Sequence, residues 1–252
     1  MPPQIALQLY TLREAFIQDF AGTLARIAAI GYKNVESAFF PEGLTVAEGA
    51  RLIQAAGLTV MAAHCELPLD EQTTPVLDQM TELNCQRMIW HGWPQDPEYS
   101  SIDGIKRLAQ RYNQANAVAT SNGYQFGLHN HWWEMEPVQG LYPYQILLQE
   151  LDPSIFFEVD TYWAKTAGLD PVQLVTELGA RAPLLHIKDG PAVKGQPMVA
   201  AGEGTQNIPA IVQAANGNAE WLIVELDACA TDMFTAVEKS FQYLVNNGLA
   251  QA

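Results

Sequence analysis

Eight short apolar segments recur along the chain, and each is followed by a longer segment with helical periodicity. The apolar segments show little polar alternation, which is typical of strands that are buried on both faces in a parallel sheet. The strands predicted in this way are residues 5–9, 33–36, 59–64, 87–90, 125–131, 155–160, 184–188 and 222–226.

The intervening segments carry helix signals. Residues 19–30 have apolar side chains at helical spacing and run into Gly31, and residues 45–56 begin at Thr45, a candidate N-cap, and run into Gly57. Further helices are predicted near residues 74–83, 101–121, 142–150, 171–178, 208–215 and 231–247. Eight β–α alternations without a compositional break favour a single (β/α)8 barrel, or TIM barrel, in one domain spanning residues 1–252.

An open, doubly wound parallel sheet is the alternative architecture, since it shares the β–α alternation. The first predicted strand is not followed by a GxGxxG motif, which weakens the dinucleotide-binding version of that fold. The barrel is therefore the preferred prediction.

Charge and cysteine content narrow the classes of function. With 13 Lys+Arg against 28 Asp+Glu, the net charge of −15 disfavours nucleic-acid binding. Three cysteines without CxxC spacing form neither a disulfide framework nor a zinc ribbon. We expect no signal peptide, membrane segment or nucleic-acid partner, and predict a cytoplasmic protein whose partner is a small molecule. The sequence carries no indication of oligomeric state.

Polar side chains gather where the predicted strands end, which in a TIM barrel is the face that carries the active site. All five histidines lie at or next to strand ends, together with carboxylates from several strands. Imidazole and carboxylate ligands suit Mn²⁺, Mg²⁺, Co²⁺ or Zn²⁺, so one divalent metal ion is predicted. Where two polar residues lie two apart, as do Glu158 and Asp160, they share a strand face, and the deeper one is expected to fill the barrel interior.

At these strand ends the sequence resembles the xylose isomerase-like TIM-barrel superfamily, in its sugar phosphate isomerase/epimerase branch. The resemblance covers essentially the whole chain. It rests on the order and spacing of IALQLYTLRE, GLHNHWWEM, FEVDTYWAKTAG, LLHIKDG, GEGTQNIPAIVQAA and IVELD.

The resemblance implies a single metal ion held by Asp160, His186 and Glu225, with a fourth ligand from the fifth strand. Related ketose 3-epimerases place a glutamate there, whereas this chain has His129, and the next carboxylate is Glu134. His129 is the predicted fourth ligand and Glu134 its alternative. The histidine that those epimerases carry three residues after the aspartate is Trp163 in this chain, so ketose epimerisation itself is not assumed.

The chemistry that suits such a set is proton transfer at a carbon next to a carbonyl. Glu134, His131 and Lys188 are the candidate acid/base residues. Lys188 has a structural alternative, in which it pairs with Asp189 or Glu158. The residues expected to contact a sugar substrate are Glu36, His64, Trp132 and Trp163, with Trp133 and Tyr162 as further candidate pocket walls.

Several functional hypotheses follow. The first is a metal-dependent isomerase or epimerase of a sugar or sugar derivative. The second is a lyase or dehydratase acting on a keto-inositol or keto-glycoside. A DNA-repair endonuclease fits poorly with the acidic charge, and a non-catalytic sugar-binding barrel is the remaining alternative.

Overall fold

The computed structural model describes residues 1–252 and contains a closed barrel of eight parallel strands in the order β1 to β8. This confirms the predicted (β/α)8 fold. The strands are β1 Gln4–Gln8, β2 Asn34–Ser37, β3 Thr59–Cys65, β4 Arg87–Trp90, β5 Gln125–His129, β6 Phe156–Asp160, β7 Leu184–Ile187 and β8 Trp221–Val224.

Ten α-helices surround the barrel. They are α1 Arg13–Gln18, α2 Phe20–Ile30, α3 Val46–Ala55, α4 Thr73–Glu82, α5 Ile102–Ser121, α6 Pro143–Glu150, α7 Thr161–Thr166, α8 Pro171–Leu178, α9 Ile208–Ala214 and α10 Met233–Asn246. Short 3-10 helices lie at Leu9–Leu12, Asp70–Gln72, Pro97–Ser100, Trp133–Met135 and Gly179–Arg181. None of the helices combines the length and the apolar character needed to cross a membrane.

The structure differs from the sequence prediction mainly at the carboxyl ends of the strands. β5, β7 and β8 stop one or two residues earlier than predicted because the chain leaves the ladder there to enter the loops of the barrel mouth. Helix α7 was not predicted. It begins directly after β6, and its first turn is capped by Asp160, whose Oδ1 accepts a hydrogen bond from the backbone N–H of Trp163 at 2.8 Å.

Apolar side chains fill the barrel interior toward the amino ends of the strands. This inner cluster consists of Ala6, Met61, Ala62, Ile89, Phe156, Leu184 and Ile223. Gly127 on β5 makes room for it, because a Cβ at that position would overlap the Phe156 ring. The polar side chains are thereby confined to the carboxyl ends of the strands, where the barrel opens.

Candidate metal centre

The predicted ligands converge at the carboxyl ends of adjacent strands. Asp160 is the last residue of β6 and pairs in register with His186 on β7, while Glu225 follows β8 directly. The ligand atoms of these three residues and of His129 all lie within 4.8 Å of one another, and all four residues are buried. The fold thus brings together the four residues proposed from the sequence as metal ligands.

Two buried atoms in this group lack hydrogen-bond partners. Asp160 Oδ2 accepts none, although the Lys188 ammonium lies 3.0 Å away, and His129 Nδ1 is likewise unpartnered. Leaving a buried polar atom unpaired is costly, so a metal ion would satisfy His129 Nδ1, whereas Asp160 Oδ2 already faces the Lys188 ammonium. Oxygen and imidazole donors in this number suit the divalent ions expected from the sequence, so the residues present fit a metal ion.

His186 lies between carboxylates on both sides of its ring. Nδ1 is 2.7 Å from Glu225 Oε2, and Nε2 is 2.7 Å from Glu36 Oε2. Burial alone would lower the pKa of His186, but the carboxylates of Glu158 and Glu225 raise it well above its ordinary value. A metal ion bound by His186 would displace a proton from the ring, and the Glu36 carboxyl group would keep the imidazole oriented. Metal-binding histidines are commonly oriented by such a carboxylate.

A second group of imidazoles and carboxylates lies beneath the first. Glu158 Oε1 is 2.7 Å from His64 Nε2 and 3.2 Å from His129 Nδ1, and His64, His129, Glu158 and His186 form another set whose ligand atoms lie within 4.8 Å. Burial, together with the nearby Glu158 carboxylate, raises the pKa of Glu36 to about 8. The deeper residue Glu158 therefore does more than fill space, because it contacts three imidazoles.

Lys188 is buried among three carboxylates. Its Nζ lies 3.0 Å from Asp160 Oδ2, 2.8 Å from Glu225 Oε2 and 2.6 Å from Asp227 Oδ2. Burial opposes its charge, yet Asp160 and Asp227 raise the pKa of Lys188 well above its ordinary value. The partners suggested from the sequence, Asp189 and Glu158, were wrong, because Lys188 points into the barrel mouth while Asp189 faces the loop beyond it.

A cavity of about 370 Å³ opens above these residues. Its floor includes Lys188, Glu225, His64 and His129, and His131 lies at its side with the ring stacked on Trp133 at 4.2 Å. The remaining lining residues are Tyr10, Ala38, Phe39, His91, Trp93, Trp132, Trp163 and Asp227. Two of the candidate metal ligands, Glu225 and His129, therefore share one cavity with a buried cation and aromatic walls.

The family model described as xylose isomerase-like TIM barrel matches residues 24–244. The chain belongs to the xylose isomerase-like TIM barrel family. A search of curated proteins found no match.

Solved structures of this family have the same architecture. A sugar phosphate isomerase/epimerase from Parabacteroides distasonis is 25% identical, with a TM-score of 0.83, covering 100% of this chain and 96% of that one. An L-ribulose 3-epimerase is 15% identical, with a TM-score of 0.71 and coverage of 98% and 94%. The IOLI protein, solved with a bound zinc atom, is 12% identical, with a TM-score of 0.69 and coverage of 97% and 98%.

Of the residues named from the sequence, Asp160, His186, Glu36 and Glu134 do not line the cavity of this xylose isomerase-like barrel. Asp160 and His186 are fully buried outside the cavity. Glu36 is fully buried beneath it and contacts His186 and Gln8. Glu134 borders a separate cavity of about 20 Å³, and its Oε2 accepts a hydrogen bond from the backbone N–H of His131 at 2.9 Å. His131 Nδ1 is buried 4.0 Å from Glu134 Oε1, which leaves the opposite edge of the ring for the cavity.

Sequence reasoning named His64, His131, Trp132, Trp163 and Lys188, and all five line the cavity. Trp133 and Tyr162, the further wall candidates, are buried behind it. Missed from the sequence were Tyr10, Phe39, Trp93 and Asp227. A usable signal existed, because each of these residues follows the carboxyl end of a strand by two or three positions.

Proposed function

We propose that this protein is a divalent-metal-dependent isomerase or epimerase that moves a proton at a carbon next to a carbonyl in a sugar or sugar derivative. The observation that carries the proposal is the convergence of Asp160, His186, Glu225 and His129, two of which, Glu225 and His129, line the cavity. Family membership and the sugar phosphate isomerase/epimerase neighbour support it.

The metal would be held by these same four residues. A divalent ion bound there supplies a Lewis acid that polarises carbonyl and hydroxyl oxygens and so acidifies the neighbouring C–H bond. Glu36 and Glu158 orient the imidazoles from below, since they contact His186 and His64 through the carboxylate oxygens. We therefore assign Glu36 to the support of His186 rather than to substrate contact.

His131 is the residue that we place at the proton-transfer step. It lines the cavity, is held flat against Trp133, and has its buried Nδ1 turned toward the Glu134 carboxylate. A base with one nitrogen toward a carboxylate and the other edge toward the substrate is a recurring arrangement for general acid/base catalysis. In this scheme Glu134, the acid/base residue favoured from the sequence, positions His131.

Lys188 serves a different purpose. Its ammonium stays protonated because three carboxylates surround it, so it balances the negative charge of the floor. Trp132 and Trp163, whose ring centroids are 4.9 Å apart, offer apolar surface for a face of the sugar ring.

Solvent deuterium exchange tests the proposal. The protein is loaded with Mn²⁺, Mg²⁺, Co²⁺ or Zn²⁺ in D₂O and incubated with a panel of keto- and aldo-sugars, and products are followed by NMR. We expect deuterium incorporation without loss of water, absent from a matched His131→Gln variant with normal metal content. A dehydrated or cleaved product would instead assign the lyase alternative, and exchange that persists after chelation of the metal would contradict metal dependence.

A further inference from the structure

Three aromatic side chains form the outer edge of the mouth cavity. Tyr10 follows β1, Phe39 follows β2, and Trp93 follows β4; we call these three residues the aromatic rim. The rings of Tyr10 and Phe39 meet edge to face with centroids 6.2 Å apart. The cavity therefore has a polar floor and an apolar entrance.

Trp93 is exposed but held in place. The relative exposure of its side chain is 57%, so more than half of a large apolar ring is accessible to solvent. Its backbone N–H donates a hydrogen bond to His91 Nδ1 at 3.0 Å, and its ring lies 5.7 Å from that of Trp133. An exposed indole fixed beside a cavity is a pre-organised apolar contact.

The cavity offers no free cation for a phosphate group. Lys188 is its single Lys or Arg side chain, and three carboxylates already surround the ammonium. Two further cations lie just outside the cavity, and both have other partners. Arg13 donates hydrogen bonds to the backbone oxygens of Tyr10 and Asp227, and Lys194 pairs with Glu136.

The glycine-containing loop after β7 is also not a phosphate cradle. Backbone amides in such loops bind phosphate when they converge on an empty position. Here the amides of Gly202, Gly204 and Gln206 all donate to the carboxylate of Asp189, at 2.9, 3.1 and 3.0 Å. The Asp189 carboxylate therefore already occupies the position that a phosphate group would take.

We infer that the substrate is an unphosphorylated, uncharged sugar derivative with an apolar, aromatic substituent that lies against the aromatic rim while the sugar ring reaches the floor. The volume of about 370 Å³ lies in the range of pockets that enclose ligands larger than a few atoms. The cavity lining has no Lys or Arg side chain free to bind an anionic group, and the aromatic rim gains most from burying an apolar group. This inference rests on the proposed function, because it assumes that the cavity is the substrate site.

Calorimetric binding measurements test the inference without requiring turnover. The probes are the methyl and phenyl β-glycosides of glucose, galactose and xylose, together with the terminal phosphates of the same sugars, each titrated into the Mn²⁺-loaded protein. We expect at least one phenyl glycoside to bind about fivefold more tightly than its methyl counterpart, as aromatic contacts of roughly 1 kcal/mol predict. No sugar phosphate should bind more tightly than its parent sugar.

Variants locate the effect. Trp93→Ala should reduce the phenyl-to-methyl ratio to near one, whereas Trp93→Phe should keep most of it. The matched control is Ile17→Ala, which removes an exposed apolar side chain on α1, outside the cavity lining, and should leave the phenyl-to-methyl ratio unchanged. Three results would overturn the inference. The phenyl glycosides could bind no more tightly than the methyl glycosides, or not at all. The phenyl-to-methyl ratio could stay unchanged in Trp93→Ala, or a sugar phosphate could bind more tightly than its parent sugar. If the protein binds phenyl glycosides more tightly but exchanges no solvent deuterium into any sugar, the inference about the substituent is supported and the proposed reaction is contradicted.

Discussion

His186 Nε2 lies 2.7 Å from Glu36 Oε2, and both side chains are fully buried. The contact joins β7 to β2 across the inside of the barrel, beneath the candidate metal ligands. It fixes the orientation of the imidazole so that Nδ1 faces Glu225 and the metal position. A residue far from the proposed metal ligands in sequence thus orients one of them.

Replacing Glu36 with Gln should therefore weaken metal binding. Loss of an orienting carboxylate typically reduces metal affinity by about 10- to 100-fold, and we expect a decrease in that range. Titration calorimetry with Mn²⁺ measures it, with Glu42→Gln on an exposed loop as the control. An affinity for Mn²⁺ equal to that of the unmodified protein would show that Glu36 does not support the metal ligands.

Lys188→Met should destabilise the metal-free protein more than the metal-loaded protein. Without the ammonium, the buried Asp160 carboxylate loses its cation and Glu225 keeps only His186, and breaking a buried ion pair in this way costs about 3–5 kcal/mol. A bound cation would replace the missing positive charge. Urea unfolding in EDTA and in Mn²⁺ measures both losses, and equal losses in the two conditions would argue against a cation between these carboxylates.

Much of the site was predictable because strand ends are marked by abrupt changes from apolar to polar residues. Asp160, His186 and Glu225 each follow such a run, and barrel closure brings these ends together without further information. The loops were less predictable. Glu134 lies in a 3-10 turn that directs its carboxylate back to the His131 amide, and no periodicity in the sequence indicates that direction.

Helix α7 was missed for a related reason. Its six residues, TYWAKT, are too few to display an amphipathic pattern, and the helix depends on Asp160 as its N-cap. Asp160 therefore combines two tasks, with Oδ1 capping the helix and Oδ2 facing the Lys188 ammonium at the proposed metal site. The sequence places an aspartate at the end of β6 but does not indicate which of its two oxygens caps the helix.

Glu134→Gln should retain full metal content and keep its exchange activity within about tenfold, because the amide oxygen still accepts the His131 N–H. The group that transfers the proton should be far more sensitive, with a loss of about 10²- to 10⁴-fold for His131→Gln. Metal analysis and deuterium exchange on both variants provide the comparison. A loss of that larger size in Glu134→Gln with full metal content would make Glu134 the acid/base residue, and a loss of metal would make it a ligand.

Thiol reactivity should distinguish the three cysteines. Burial raises the pKa of Cys65 to about 12 and that of Cys85 to about 11, so both stay protonated and shielded at pH 8. Cys229 is partly exposed. We expect a chromogenic disulfide reagent at pH 8 to modify one thiol per native chain and all three after unfolding. Rapid modification of two or three thiols in the native protein would contradict this packing.

The central claim is that Asp160, His186, Glu225 and His129 hold one divalent ion. Anomalous diffraction from crystals grown with Mn²⁺ or Zn²⁺ tests it most directly, because the method locates the ion independently of activity. We predict one anomalous peak, with Asp160, His186, Glu225 and His129 at ligand distances of about 2.0–2.3 Å. Absence of a peak, or an ion held by His64 and Glu158 out of reach of Asp160 and Glu225, would contradict it.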